Sequence, residues 1–474
     1  MSRIYQTDGN RVLRGRPFFC GVLIVGLLGI LSGCGLLGGG EPTAGTTVES
    51  FTYEPEEESV LAPLFETEAG LITYIGADGN LYTVEPSGEN QIQLTEDAVV
   101  PDLSNQAVPD EIRLYQLPTW SKTEKKIAYY QFDFDGENGE QTHQIWVTDS
   151  VGQDTTLVSE SPYPSIYYDW SPDSSTLGVL NGSANQRLFQ MRIFPLDGEM
   201  RTVDVGAPLF FDWSPHSQQS VMHIGAAGNN EKLSLFSLSD DDDLFAEVFD
   251  IDEGGFNTPD WSPNGESLLF ARRSIDPEDD DTLIVSRDVA SREDSVIAKY
   301  DGEINVAASY SPDNQNVAFI PSEGVPYGRL FVANLDTKAE VSSTSSEVTA
   351  YFWSPDGSKI AYLALYFPPV LDEDGEPTAE RQDTADGFGL YVLDVESGTS
   401  TKLLEPYFPT DSFGDVLRFY HQYQHAVTIW SPDSENIVVP VELDEGPVIV
   451  VMNAAGGASP LVIADGSLAF WSWN

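Results

Sequence analysis

The sequence is poor in basic residues, cysteine and histidine. Its 474 residues include only 23 Lys and Arg against 76 Asp and Glu, which gives a formal net charge of −53. Phosphate backbones are bound by clustered cations, so this deficit argues against a nucleic-acid partner. Two cysteines cannot build a disulfide framework. The hydrophobic fraction of 41% is nevertheless enough for a large core.

A long hydrophobic run is also missing. The most apolar stretch, Cys20–Gly33, has 14 residues, whereas a membrane-spanning helix needs about 20. Four arginines precede it, at positions 3, 11, 14 and 16. A positive segment followed by a short apolar one is typical of an export signal, so we expect residues 1–33 to be a signal peptide.

The signal ends in Leu31-Ser32-Gly33-Cys34. This resembles the bacterial lipobox, which implies that Cys34 carries lipid, becomes the new N-terminus and anchors the protein outside the cytoplasmic membrane. Gly35 would by analogy favour the outer membrane and periplasm in a two-membrane cell. An uncleaved short anchor is the alternative. Residues 34–68 are rich in Gly, Thr, Pro and Glu and predict a flexible tether.

An aromatic-Ser-Pro motif recurs along the rest of the chain. Its aromatic positions are Trp120, Trp170, Trp213, Trp261, Tyr310, Trp353, Trp430 and Trp471, with weak copies at the first and last. All successive gaps are 41–50 residues except one of 77, which must hold an insertion. This is the length of a four-stranded propeller blade. We expect an all-β fold over residues 69–474, with eight blades, or seven if the Trp120 unit is misread, and the aromatic side chains packed between blades.

The two ends of the repeat region complement each other. The first unit, from Leu71 to Leu94, lacks a preceding Trp motif, while residues 467–473 form a first strand with nothing after it. Together they make one blade. We therefore expect the C-terminal strand to join the first unit and close the ring, which removes exposed sheet edges.

The motif, as in Trp353-Ser-Pro-Asp356-Gly357, resembles the WD40-like repeats of TolB-type and dipeptidyl-peptidase-IV-type propellers. The resemblance covers residues 70–474 and implies the scaffold only. Residues 35–68 are too few for the separate α/β domain of TolB-type proteins. No G-x-S-x-G occurs, so the hydrolase half of the peptidase family is not expected.

Long connections predict where a ligand would bind. The segments 96–119, 366–389 and 405–428 exceed ordinary loop length, and the last is unusually aromatic. Aromatic platforms suit sugar rings or protein hot spots, so we expect a partly exposed aromatic rim at the ring mouth. Packing of this segment onto its own blade is the alternative. The candidate face comprises Tyr366, Phe367, Tyr407, Phe408, Phe413, Phe419, Tyr420, His421, Tyr423 and His425.

Metal ligands are weakly indicated. His421 and His425 would share a helix face, but the sequence offers no evident third ligand, so no metal is assigned there. Acidic runs could hold Ca²⁺ through Asp133, Asp135, Asp279 or Asp281, although none has EF-hand spacing and a solvated acidic surface is the alternative.

These patterns predict a lipid-anchored propeller of the cell envelope. Its expected role is to bind or scaffold an envelope protein or glycan, with the membrane reached through lipid on Cys34. A propeller lyase or hydrolase acting in the central pocket is the alternative.

Overall fold

The computed structural model describes residues 70–101, 110–184, 188–225, 232–237, 246–249 and 258–474, except 275, 277, 303, 324, 326 and 372–376. The predicted signal peptide 1–33, the lipidation site Cys34 and the tether 34–68 lie outside the described residues. No helix in the described ranges has the length and apolar character to cross a membrane.

Antiparallel strands follow one another along the chain. The first unit has strands β1 (Ile72–Gly76), β2 (Leu81–Val84) and β3 (Ile92–Gln93). The first four-stranded sheet has β4 (Glu111–Trp120), β5 (Lys126–Asp135), β6 (Glu140–Asp149) and β7 (Thr156–Ser161). The second has β8 (Ser165–Trp170), β9 (Thr176–Gly182), β10 (Phe189–Pro195) and β11 (Arg201–Gly206). The third has β12 (Leu209–Trp213), β13 (Gln219–Ile224), β14 (Lys232–Ser237) and β15 (Ala246–Phe249).

Three more four-stranded sheets continue the series. The fourth has β16 (Asp260–Trp261), β17 (Ser267–Arg273), β18 (Thr282–Asp288) and β19 (Asp294–Tyr300). The fifth has β20 (Asn305–Tyr310), β21 (Asn316–Ser322), β22 (Phe331–Asn334) and β23 (Glu340–Ser343). The sixth has β24 (Val348–Trp353) and β25 (Lys359–Leu365), then, after a hairpin of β26 (Pro369–Leu371) and β27 (Pro377–Arg381), β28 (Phe388–Asp394) and β29 (Ser400–Tyr407).

The remaining elements close the ring. They are helices α1 (Asp411–Arg418) and α2 (Tyr420–Tyr423) and strands β30 (Asn436–Leu443), β31 (Gly446–Asn453) and β32 (Leu461–Trp471). The first half of β32 pairs with β31, and its second half pairs with β1. The predicted closure by the C-terminal strand is therefore confirmed.

The blade count follows from this long strand. Because β32 belongs to two units, β30, β31 and the first unit merge into a single six-stranded sheet. Within the described residues the molecule is an all-β propeller with seven blade sheets, which carry eight repeat units, and one separate two-stranded hairpin. The Trp120 unit forms a complete four-stranded sheet, so the lower number arises from this merger rather than from a misread repeat.

In four units the Ser and Asp of the repeat build the turn between the first two strands. Ser354 Oγ donates to Asp356 Oδ1 at 2.6 Å and accepts from the Lys359 backbone N–H at 2.9 Å. Ser171 makes the same two bonds. Gly357 adopts φ +73°, which is the left-handed region where a Cβ is unfavourable, so glycine suits this turn exit.

The repeat tryptophans lie between neighbouring sheets. The indole N–H of Trp170 donates to the carbonyl of Thr119 at 3.2 Å, and that of Trp430 donates to the carbonyl of Phe352 at 2.9 Å. Each acceptor belongs to the first strand of the preceding unit. One side chain thus fills the space between two sheets and satisfies its polar atom there.

Candidate functional site

The connection between β29 and the next unit contains the two helices. Thr410 begins α1, because its Oγ1 accepts a hydrogen bond from the Phe413 N–H at 3.3 Å. Asp411 in the first turn and Arg418 in the last turn have the signs that the helix dipole favours. We call residues 408–427 the central segment.

The central segment lies among the first strands of several sheets. Gln422 Nε2 donates to the Phe211 carbonyl of β12 at 2.9 Å, and its Oε1 accepts from the Phe211 N–H at 3.2 Å. The Tyr423 hydroxyl donates to the Ile166 carbonyl of β8 at 2.6 Å. The Tyr420 ring packs edge-on against Tyr351 of β24 at 5.4 Å. The first strands of the second, third and sixth sheets all contact this segment, so it fills the centre of the ring.

This position differs from the partly exposed rim expected from the sequence. Tyr407 and Phe413 are fully buried, and Tyr420 is 5% exposed. The Tyr407 hydroxyl donates to the Pro440 carbonyl inside the protein. The side chains of these three residues are buried inside the protein and therefore do not form a binding surface.

The other residues of the candidate face are divided between two places. Tyr423, His421 and His425 are half-buried in the centre, while Phe419 is 37% exposed. Tyr366, Phe367 and Phe408 are half-buried. The Tyr366 N–H donates to the Gly387 carbonyl at the base of the β26–β27 hairpin, and Phe408 lies beside that glycine.

Beside the central segment lies a cluster of five polar side chains. Three are the aspartates that precede the repeat Trp in the second, third and fourth sheets, and the others come from the turn after β4 and from the end of the central segment. They are Lys122, Asp169, Asp212, Asp260 and His425. All three carboxylates are at most 7% exposed. We call this set the central cluster.

The third and fourth sheets orient two of these carboxylates. Asp212 Oδ2 accepts the Trp261 N–H at 2.7 Å, and Asp260 Oδ2 accepts the Tyr310 N–H at 2.6 Å. Each aspartate therefore ties its own first strand to the first strand of the next unit. The second oxygens, Oδ1 of both residues, lie 3.5 and 3.9 Å from His425 Nδ1.

Lys122 is the cation of the cluster. Its Nζ lies 3.5 Å from Asp169 Oδ1, donates to the His425 carbonyl and sits 3.9 Å from the Trp473 ring centre. The turn after β4, the end of the central segment and the C-terminal residues meet at this one ammonium group. Losing its charge would leave Asp169 buried without a counter-ion.

Burial dominates the electrostatics of the cluster. It raises the pKa of Asp169 to about 6 and lowers the pKa of His425 to about 4. Burial also raises the pKa of Asp212, and burial together with the Asp212 charge raises the pKa of Asp260 well above its usual value. Lys122 has its pKa lowered by burial. These shifts favour protonated carboxyl groups, and the Asp212 and Asp260 side chains hydrogen-bond each other, which requires a proton on one of them.

Sequence reasoning missed the three aspartates. His425 was singled out without further ligands, and the partners that the structure brings to it are Asp212 and Asp260. A signal existed, because Asp directly precedes Trp in three successive repeats, at Asp169, Asp212 and Asp260. His421 does not join this group: its ring packs edge-on against Phe210 at 5.0 Å.

The residues suggested for Ca²⁺ are engaged in other contacts. Asp133 accepts from Arg113 Nε at 2.7 Å, and Asp135 accepts the turn N–H of Glu137 at 2.9 Å. Asp279 and Asp281 both contact the Lys299 ammonium group, with Asp279 Oδ2 at 2.8 Å. Binding of Ca²⁺ at these positions remains a prediction.

An outer groove lies between the fifth and sixth sheets. It is a cleft of about 420 Å³, and its lining includes Arg329, Ser343, Tyr362, Tyr391, Ser400 and Lys402. The Tyr362 and Tyr391 rings stack with centroids 5.2 Å apart. Arg329 is held by bonds from Nε to the Thr344 carbonyl and from Nη2 to Ser343 Oγ. Two cations, aromatic rings and hydroxyl groups thus line one cleft of a strongly acidic protein.

Comparisons with known proteins define the fold neighbourhood only. No protein-family model matches the sequence, and no curated protein matches it. Among solved structures, a eukaryotic initiation factor is 11% identical with a TM-score of 0.47, over 86% of this chain and 98% of that one. An oligogalacturonate lyase from Vibrio parahaemolyticus is 13% identical with a TM-score of 0.44, over 81% and 96%. TolB from Acinetobacter baumannii is 12% identical with a TM-score of 0.34, over 76% and 81%. Similarities of this size carry no argument about function.

Proposed function

We propose that this protein is a lipid-anchored binding module of the cell envelope, and that it captures a glycan carrying a carboxylate. The outer groove is the observation that supports this proposal. The partly exposed ring of Tyr391 can contact a sugar ring, and serine hydroxyls can exchange hydrogen bonds with sugar hydroxyls. Arg329 and Lys402 supply positive charge for an acidic substituent.

The charge of the whole chain makes these two cations informative. With a net charge of −53, the protein repels acidic ligands over most of its surface. Arg329 is fixed in place by its bonds to Thr344 and Ser343, so its side chain loses little conformational freedom when a ligand binds. Lys402 lies 3.5 Å from Glu405, and an incoming carboxylate would compete for it.

The groove is tested with two probes, a uronic-acid tetrasaccharide and its carboxyl-reduced counterpart. We expect the acidic probe to bind the full protein in calorimetry, and the Arg329→Ala, Lys402→Ala double variant to bind at least tenfold more weakly. The double variant Lys125→Ala, Arg292→Ala removes the same charge from exposed positions in other sheets. Equal loss in both double variants would mean that net charge alone, and not the groove, governs binding.

The anchoring part of the proposal rests on the lipobox resemblance. The variant Cys34→Ala should lose incorporation of labelled palmitate and should move out of the membrane fraction. Retention of label by this variant would contradict lipidation at Cys34. A propeller lyase or hydrolase would act in the central pocket. The central segment occupies that position, so no second function is proposed.

A further inference from the structure

The central cluster brings one imidazole nitrogen and two carboxylate oxygens together at the centre of the ring. His425 Nδ1 lies 3.5 Å from Asp212 Oδ1 and 3.9 Å from Asp260 Oδ1. Donor–acceptor distances of hydrogen bonds are shorter, about 2.7–3.2 Å. Two ligand atoms that share a tetrahedral Zn²⁺ at about 2.1 Å are separated by about 3.4 Å. The spacing therefore fits ligands arranged around a cation better than it fits direct bonds.

The orientation of the two carboxylates is fixed by the fold. Each uses Oδ2 to accept a backbone N–H of the next unit, from Trp261 and Tyr310 respectively. This leaves Oδ1 of each directed towards the imidazole. Outer bonds of this kind are what hold first-sphere carboxylates in place in metal sites.

A third buried carboxylate lies beside these ligand atoms. Asp169 is 2% exposed, its Oδ1 is paired with the Lys122 ammonium group at 3.5 Å, and its charge acts on both Asp212 and His425.

Charge balance gives the sign of a ligand that would bind here. Three buried carboxylates face one ammonium, and Lys122 is nearest to Asp169. The Asp212 and Asp260 side chains hydrogen-bond each other, which takes one shared proton. A divalent cation would replace that proton and neutralise both carboxylates.

We propose that Asp212, Asp260 and His425 bind one divalent transition-metal cation, of the Zn²⁺ or Mn²⁺ type, at the centre of the propeller. Mixed imidazole and carboxylate ligands suit these ions, whereas Ca²⁺ and Mg²⁺ prefer oxygen alone. The ion joins the end of the central segment to the first strands of the third and fourth sheets. Its role is to hold the central segment in the ring.

The test uses the full purified chain, stripped with a chelator and then reloaded with Zn²⁺, Mn²⁺ or Ca²⁺. By elemental analysis we expect one tightly held Zn²⁺ or Mn²⁺ per chain, and no bound Ca²⁺. At an ion concentration one hundred times Kd, Tm should rise by about 3–5 °C. Reloading with Co²⁺ should give visible absorption bands from a site with nitrogen and oxygen ligands.

Variants locate the site. Asp260→Asn should abolish the bound ion and the shift in Tm, whereas Asp279→Asn, in the exposed acidic run, should retain both. The stripped wild-type protein serves as the reference should Asp260→Asn fail to fold. Absence of stoichiometric metal in the reloaded wild type would overturn the proposal, as would an unchanged ion content in folded Asp260→Asn. Neither outcome bears on the outer groove, which lies between other sheets.

Discussion

The Gln422 side chain makes the pair of hydrogen bonds that the backbone of a neighbouring strand would make. Its amide both donates to and accepts from Phe211 on β12, and the side chain is 2% exposed. The arrangement satisfies a first strand that has no further strand beside it at the ring centre. A shorter side chain would leave a donor and an acceptor buried without partners.

Gln422→Ala should lower the free energy of unfolding by about 1–3 kcal/mol, because two buried backbone groups lose their partners. Urea denaturation followed by fluorescence measures this loss. Gln424→Ala is the matched control: its Nε2 lies 3.5 Å from the His421 carbonyl, and its removal should change stability by less than about 0.5 kcal/mol. Similar losses of stability in both variants would mean that shortening any side chain of the central segment destabilises the protein.

Asp294 shows the effect of charge at a half-buried position. It accepts Arg272 Nε at 2.8 Å and two bonds from Arg287, at 2.5 and 3.0 Å. Burial alone would raise its pKa, but the hydrogen bonds and positive charges of both arginines outweigh burial and hold the pKa of Asp294 below its usual value. A carboxylate with a lowered pKa stabilises the fold above its unfolded pKa, and that contribution disappears as pH falls through the folded pKa.

Asp294→Asn should therefore cost about 1–3 kcal/mol at pH 7, where the native residue is ionised in both states. The difference between variant and wild type should shrink below about pH 4, where the unfolded carboxyl takes up a proton. Thermal unfolding across pH 3–8 measures it, and Asp301→Asn, an exposed position, is the control. A difference that does not vary with pH would exclude the ion pairs as its cause.

Helix α1 is the element that carries the chain into the ring centre. Its first residue follows Thr410, which is 3% exposed; the hydroxyl accepts from the Phe413 N–H and donates to the Ser467 carbonyl of β32. One hydroxyl thus begins the helix and attaches it to the closing strand. Phe413, Val416 and Leu417 then face inwards.

Thr410→Ala should destabilise the protein by about 0.5–2 kcal/mol, because the helix loses its capping group. Thr410→Ser keeps the hydroxyl and should recover most of this loss. Ser412→Ala, at an exposed position of the same helix, should have little effect or stabilise slightly. Calorimetric Tm values of the three variants decide between a capping role and general sensitivity of the segment.

The elements also show how far the sequence could be read. The period of the Trp-Ser-Pro motif predicted the sheets, and the mismatched ends predicted their closure. The dipeptide Asp465-Gly466 marks the point at which β32 leaves β31 and joins β1, and the sequence predicted a separate strand from residue 467. That the chain continues through this dipeptide as one strand, and so merges two units into a six-stranded sheet, is visible only in the structure.

The candidate site was less accessible to sequence reasoning. The many aromatic residues in 407–425 predicted either an exposed rim or a segment packed against the protein, and composition alone could not distinguish the two. That distinction depends on the ring centre, which is formed by strands distant in sequence. Asp212 and Asp260 were likewise visible in the repeats, yet their convergence on His425 requires knowledge of which sheets adjoin.

At the scale of the whole molecule, stability depends on closure. The hydrogen-bonded register from Ile72 with Trp471 to Ile75 with Leu468 covers the edge of β1. Without it, that edge would present unpaired backbone groups to other molecules. The closing strand therefore protects the protein from association as well as completing its core.

A chain ending at Asp465 should form oligomers or aggregates, whereas a chain ending at Trp473 should remain as the full-length protein does. The first keeps the pairing with β31 and loses the pairing with β1, together with the buried side chains of Phe470 and Trp471. Light scattering after size-exclusion chromatography compares the two masses. A monodisperse, monomeric product of the shorter chain would show that the β1 edge is not a site of association.

The bond from the Leu71 N–H to Ser472 Oγ joins residues 401 positions apart. During synthesis, β1 therefore remains without its partner β32 until nearly the last residues of the chain have been made. Contacts this distant in sequence form late, and the early units stand as an open array meanwhile. A ring of this kind cannot close before its final strand has been synthesised, so translation sets the earliest time at which the propeller can be complete.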